Sequence, residues 1–128
     1  MNSKIDAIIQ IAKDVYKTLG SGFSEDVYDK AMQVGLRLQG FKYESQKVIE
    51  LKYKGLYVGA GYPDIIVHVG KEKIILELKA VGSKLGYGEE QQIKNYMRIL
   101  DIKTGVLINF QQPKKEGKTQ IEIKSINI

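Results

Sequence analysis

Ala60-Gly61-Tyr62-Pro63-Asp64-Ile65-Ile66-Val67, followed by Lys73-Ile74-Ile75-Leu76-Glu77-Leu78-Lys79-Ala80, is the stretch whose reading decides the fold. An acid heads the first apolar run, and a Glu-x-Lys set lies inside the second. Side chains alternate between the faces of a β-strand, so Glu77 and Lys79 point one way while Leu76, Leu78 and Ala80 point the other. The short turn Val69-Gly70-Lys71-Glu72 lets the first run fold back antiparallel on the second, which brings Asp64 near Glu77. Two carboxylates and an ammonium on one strand pair can hold a hard divalent metal and a water.

The rest of the chain sets bounds on that reading. With 128 residues, 43% hydrophobic and 27% charged, it has the composition of one globular domain. No stretch reaches the roughly 18 apolar residues of a membrane span, and the N-terminus lacks a signal-peptide pattern, so a cytoplasmic location is expected. Without cysteine there is no disulfide framework, thiol nucleophile or cysteine-based zinc site. His68 is the only histidine, which removes multi-histidine zinc sites and two-imidazole relays. A formal charge of +5 suits a polyanionic partner, but the larger weight falls on a surface that is merely kept soluble.

Around the central pair the periodicity predicts a helix from Ser3 to a stop at Gly20, and a second from the N-cap Ser24 to Gly40. Glu25 then lies in the second helix's first turn, where its dipole favours an acid. Short strands follow over 41–45 and 47–53, with a further one over 56–58 ended by a Gly59-Ala60-Gly61 break. The central strands span 64–69 and 73–80. A loop over 82–88 precedes a third helix over 89–100, on which Gln92 and Tyr96 share a face. A buried strand over 104–110, a polar turn over 111–118 and an edge strand with Ile121, Ile123 and Ile126 complete the chain. This order predicts an α/β fold, bordering on α+β, with a mixed central sheet flanked by helices.

Mg²⁺ takes octahedral oxygen ligands, usually one or two carboxylates with waters and substrate phosphate, and Asp64 with Glu77 meet that need. Lys79 on the same face would orient the water or stabilise charge developing on a phosphate. Glu25 adds a ligand, directly or through water, if the second helix runs past the site. The ordinary alternative for these strands is a cross-strand ion pair of little energetic weight.

Pro63-Asp64 with Glu77-Leu78-Lys79 resembles the motif of the PD-(D/E)XK nuclease superfamily. Gly22-Phe23-Ser24-Glu25-Asp26-Val27-Tyr28 resembles the signature of one compact branch, the GxxExxY protein family. The resemblance runs from about residue 12 to 110 and covers Gln92 with Tyr96 on the following helix. It implies a restriction-endonuclease-like fold over 1–128, with Mg²⁺ or Mn²⁺ held by Glu25, Asp64, Glu77 and the Leu78 carbonyl. Lys79 would serve catalysis and Gln92 would contact the site or a backbone phosphate. Glu89 stands where family members often carry a histidine.

The function so implied is metal-dependent hydrolysis of nucleic-acid phosphodiesters, DNA favoured over RNA. The alternative is a nucleic-acid-binding or partner-binding module that keeps the fold without turnover. Lys42, Lys47, Lys52 and Lys54, with Lys84, Lys94, Arg98 and Lys103, are candidates for tracking phosphates. Nothing resembles a base-reading helix or a stacking platform, and a homodimer presenting two sites is a reasonable expectation for so small a chain.

Overall fold

In the computed structural model, which describes residues 3–114 and 119–128, the first two apolar stripes form α1 (Ser3–Leu19) and α2 (Glu25–Leu38). Gly20 breaks α1 at φ +74°, and the Ser24 hydroxyl caps α2 by accepting from the Val27 N–H at 3.4 Å. Gly40, at φ +81°, closes α2 with the Phe41 N–H donating to the Leu36 carbonyl at 3.0 Å. The two helices approach closely at Gly35, where a Cβ would overlap the Ile11 side chain.

The strands are β1 (Lys42–Ser45), β2 (Ile49–Tyr53), β3 (Leu56–Gly61), β4 (Ile65–Val69), β5 (Glu72–Lys79), β6 (Thr104–Asn109) and β7 (Glu122–Asn127), with α3 (Tyr87–Leu100) between β5 and β6. The main sheet has the order β1-β4-β5-β6-β7. Only β5 and β6 run parallel, because α3 carries the chain back between them; the other neighbours are antiparallel. This is the mixed sheet flanked by helices that the sequence predicts.

Helices on both faces explain why β4 and β5 read as unbroken apolar runs. Ile65, Val67, Leu76 and Leu78 pack with Ile8, Met32 and Leu36 of α1 and α2. Ile66, Ile75 and Leu107 pack with Ile93 and Met97 of α3. Gly105 lets α3 settle on β6, since a Cβ there would lie 2.7 Å from Ile93 Cδ1.

Several expectations need correction. Gly59, Ala60 and Gly61 are not a break but the end of β3, paired with Leu51, Glu50 and Ile49. Gly61 suits that place because a Cβ would lie 2.6 Å from the Tyr96 ring. Helix α3 starts at Tyr87, two residues early, because Gly86 is its N-cap and Glu89 accepts from the Gly86 N–H at 3.1 Å. β2 and β3 stand apart as a two-stranded ribbon. Part of the turn expected over 111–118 lies outside the described residues.

Candidate active site

The β4–β5 hairpin turns at Gly70-Lys71 and pairs Val69 with Glu72 through Ile65 with Leu76. One step further along this register, Asp64 faces Glu77. The Asp64 N–H donates to Glu77 Oε1 at 3.2 Å, and the Leu78 N–H donates to Asp64 Oδ2 at 2.8 Å. Asp64 is half-buried behind the buried Pro63, whereas Glu77 is only 6% exposed. Lys79 emerges half-buried at the end of β5, on the same strand face as Glu77.

Helix α2 brings a second pair of acids. Glu25 opens its first turn, and Asp29, one turn on, is 7% exposed and accepts from Gln33 Nε2 at 2.5 Å. The helix start is aimed by Tyr28, fully buried and stacked on Phe110 with ring centroids 4.5 Å apart. Its hydroxyl donates to the Gly20 carbonyl at 2.6 Å and accepts from Gln112 Nε2 at 3.2 Å. Gln112 Oε1 in turn accepts from the Gly22 N–H at 2.6 Å, so the turn before α2 is pinned to the end of β6.

Electrostatics follow from this crowding. Burial pushes the Glu77 carboxyl up to about 8, reinforced by the Asp64 charge and opposed by the Asp64 N–H and by Lys79. Burial also raises Asp64; the Leu78 N–H opposes the shift, Asp29 adds to it, and Lys79 pulls back. Glu25 is raised by partial loss of water and then by Asp64, with Lys79 opposing and Asp29 adding. The Asp64–Glu77 pair therefore holds a proton near neutral pH. Glu89 is lowered instead, because its own N–H and that of Gly86 bind its carboxylate, with Lys79 and Lys124 helping. Glu89 is thus the capping acid of α3.

A family model for the PD-(D/E)XK nuclease superfamily matches residues 2–122. The chain belongs to the PD-(D/E)XK nuclease superfamily. The crystal structure of SSO0001 shares this fold, with a TM-score of 0.58 at 21% identity. The match covers 80% of this chain and 50% of that one, so this chain spans about half the length of that structure. No curated protein matches the chain.

PD-(D/E)XK nucleases typically use divalent metals, and the donor set here can be tested against that requirement. Among the described residues, no three His, Asp or Glu side chains are arranged as a ready-made metal cage. Mg²⁺ does not need one, since it is commonly held by one or two carboxylates with waters and substrate phosphate. Asp64 and Glu77 fit that demand: they touch, both are raised by burial, and a cation would replace the proton they hold.

The structure groups Glu25, Asp64, Glu77 and Lys79, with Leu78 hydrogen-bonded to Asp64. Gln92 makes no hydrogen bond with any of them; its Nε2 reaches the Tyr96 hydroxyl at 3.4 Å, beside the base of the β2–β3 ribbon. Asp29 is the acid that sequence reasoning missed. Its signal was present, an acid at a core position of the stripe Tyr28, Met32 and Leu36, four residues after Glu25. A cavity of about 660 Å³ lies between α1 and α2 and includes none of these residues.

Proposed function

We propose that this chain is a metal-dependent nuclease of the GxxExxY branch that hydrolyses phosphodiester bonds of nucleic acid, DNA before RNA. The single observation carrying this reading is the Asp64–Glu77 pair, a half-buried and a buried acid in contact beside Lys79. Buried carboxylates of like charge are costly unless something positive pairs with them. Mg²⁺ or Mn²⁺ held by Asp64, Glu77, the Leu78 carbonyl and Glu25 would supply Lewis acidity at a phosphate oxygen and a lowered pKa for water.

The chain's own groups do the rest. Lys79 carries the positive charge that faces Glu25, Asp64 and Glu77, and it stabilises negative charge growing on the phosphate as water adds. Water oxygen bonds to phosphorus, one P–O ester bond breaks, and the proton passes to the leaving sugar oxygen. The Leu78 N–H fixes the Asp64 carboxylate so that little reorganisation accompanies the step.

The test is cleavage of end-labelled branched, single-stranded and duplex DNA and of RNA in Mg²⁺ or Mn²⁺. Wild type should cut at least one of these, whereas Asp64→Asn and Lys79→Ala should stay folded and lose activity by at least about 100-fold. A folded wild type that cuts none, or variants that cut as well as wild type, would overturn the assignment. The first of these results would favour the non-catalytic binding module.

A further inference from the structure

We propose that the β2–β3 ribbon is a stacking platform for unpaired nucleotides, which makes this chain selective for nucleic acid with single-stranded segments. The proposal rests on the nuclease reading for its purpose but on separate residues for its geometry.

Among the described residues, β2 and β3 pair only with each other, and Tyr53, Leu56, Tyr57 and Val58 of their outer half are exposed. Three tyrosines stand out from this ribbon and its exit: Tyr53 and Tyr57 at 64% exposure and Tyr62 at 54%. Exposed large rings carry a hydration cost that folding does not remove, so their exposure on both faces of one short ribbon marks a surface that meets something flat and apolar.

The register distributes these rings. Tyr53 pairs with Leu56 across a two-residue turn, and Lys52 pairs with Tyr57 beyond an irregularity in β3. Directly opposed residues share a face, so one face shows Tyr53 and the other Tyr57 beside Lys52. Lys54 Nζ lies 5.3 Å from the Tyr53 ring centroid. Lys54 and Gly55 both have positive φ, 51° and 80°, as a type I′ turn demands. A lysine is not the residue that conformation favours, yet there it places an ammonium at the ribbon's tip. Each face thus has a lysine near a ring. Lys52 also lies 3.7 Å from the Glu50 carboxylate, so the tip ammonium of Lys54 beside Tyr53 is the cation best placed to meet a phosphate while a base stacks.

The ribbon is also anchored and aimed. Its base rests on Tyr96 at Gly61, and the Tyr62 N–H donates to the Tyr96 hydroxyl at 3.4 Å. Tyr62 is followed by Pro63 and Asp64, so β3 leads directly into the carboxylates. Bases inside a duplex are already stacked on one another, so open rings favour unpaired nucleotides. A second copy of the chain is the weaker occupant, because self-association would bring together lysine-bearing ribbons of a molecule with formal charge +5.

The experiment is fluorescence anisotropy with labelled single-stranded DNA and blunt duplex of equal length, in EDTA so that no cleavage intervenes. Wild type should bind the single strand about tenfold more tightly than the duplex. Tyr53→Ala/Tyr57→Ala should lose about tenfold for the single strand, while Tyr53→Phe/Tyr57→Phe, which keeps the rings, should retain it. Equal affinity for both substrates, or an alanine pair that binds like wild type, would overturn the proposal. So would a sedimentation dimer abolished by the alanine pair with single-strand binding unaltered, which would assign the ribbon to a second copy. Binding without cleavage in Mg²⁺ would instead overturn only the nuclease reading, and cleavage without single-strand preference only the ribbon.

Discussion

Asp64 and Glu77 face each other one step beyond the last regular pair of the β4–β5 ladder, and the Asp64 main-chain N–H donates to the Glu77 carboxylate at 3.2 Å. The contact forces two acids to share space that water has largely left. Their field bears on stability and, on the proposed reading, on cation affinity and chemistry.

Stability without a divalent ion should fall as pH rises. Glu77 titrates near 8 in the fold against an ordinary 4.5, so between those values the unfolded chain loses a proton that the folded chain keeps. Its contribution is therefore full below about pH 4.5, declines through the interval and levels off above about 8, a loss on the order of a few kcal/mol. Asp64, also raised, acts in the same direction. Thermal unfolding in EDTA from pH 5 to 9 should show the decline, and Glu77→Gln should be flatter and more stable than wild type at pH 8. A wild-type profile identical to that of Glu77→Gln would contradict the buried-proton account.

Cation binding should release protons. If the Asp64–Glu77 pair holds one near pH 7, then Mg²⁺ or Mn²⁺ entering between them must displace it. Calorimetry in two buffers of different ionisation enthalpy should give a release of about one proton at pH 7 and less at pH 9. Asp64→Asn/Glu77→Gln should show neither binding nor release. Tight binding with no proton release would place the ion elsewhere.

Asp29 should matter without touching substrate. Its charge raises both Asp64 and Glu25, and its side chain is fixed by Gln33. Asp29→Asn keeps an acceptor for Gln33 while removing the charge, so the fold should persist. Divalent-ion affinity should drop roughly 10–100-fold, the usual scale for a supporting residue behind a metal site. The carboxyls of Asp64 and Glu25 should titrate lower, as read by NMR. Unchanged titration of both would show that Asp29 is only a packing residue.

The sequence reveals the parts of this molecule whose logic is local. Alternation and a two-residue turn are enough to place Asp64 opposite Glu77, and heptad-like spacing is enough for α1 and α2. What depends on distant partners is not legible. Gly59 and Gly61 look like a break until Leu51 and Ile49 are seen to pair with them across the ribbon and Tyr96 to take the space a Gly61 side chain would need. Tyr53 and Tyr57 read as ordinary strand residues, because only the separation of β2 and β3 from the main sheet leaves them uncovered. Asp29 differs in that its place on the buried stripe of α2 is visible in the spacing, but its nearness to Asp64 depends on how α2 meets the sheet.

The clamp of Tyr28 by Phe110 and Gln112 joins residues more than eighty positions apart, as the 84-residue separation of Tyr28 and Gln112 records. Glu25 belongs to the first fifth of the chain, but the groups that aim its helix lie near the far end. A nascent chain still in the ribosome can therefore complete α1, α2 and the β4–β5 hairpin while Glu25 remains unaimed. During synthesis Asp64 and Glu77 can meet as soon as the β4–β5 hairpin closes, whereas Glu25 is held toward them only after residue 112 has emerged.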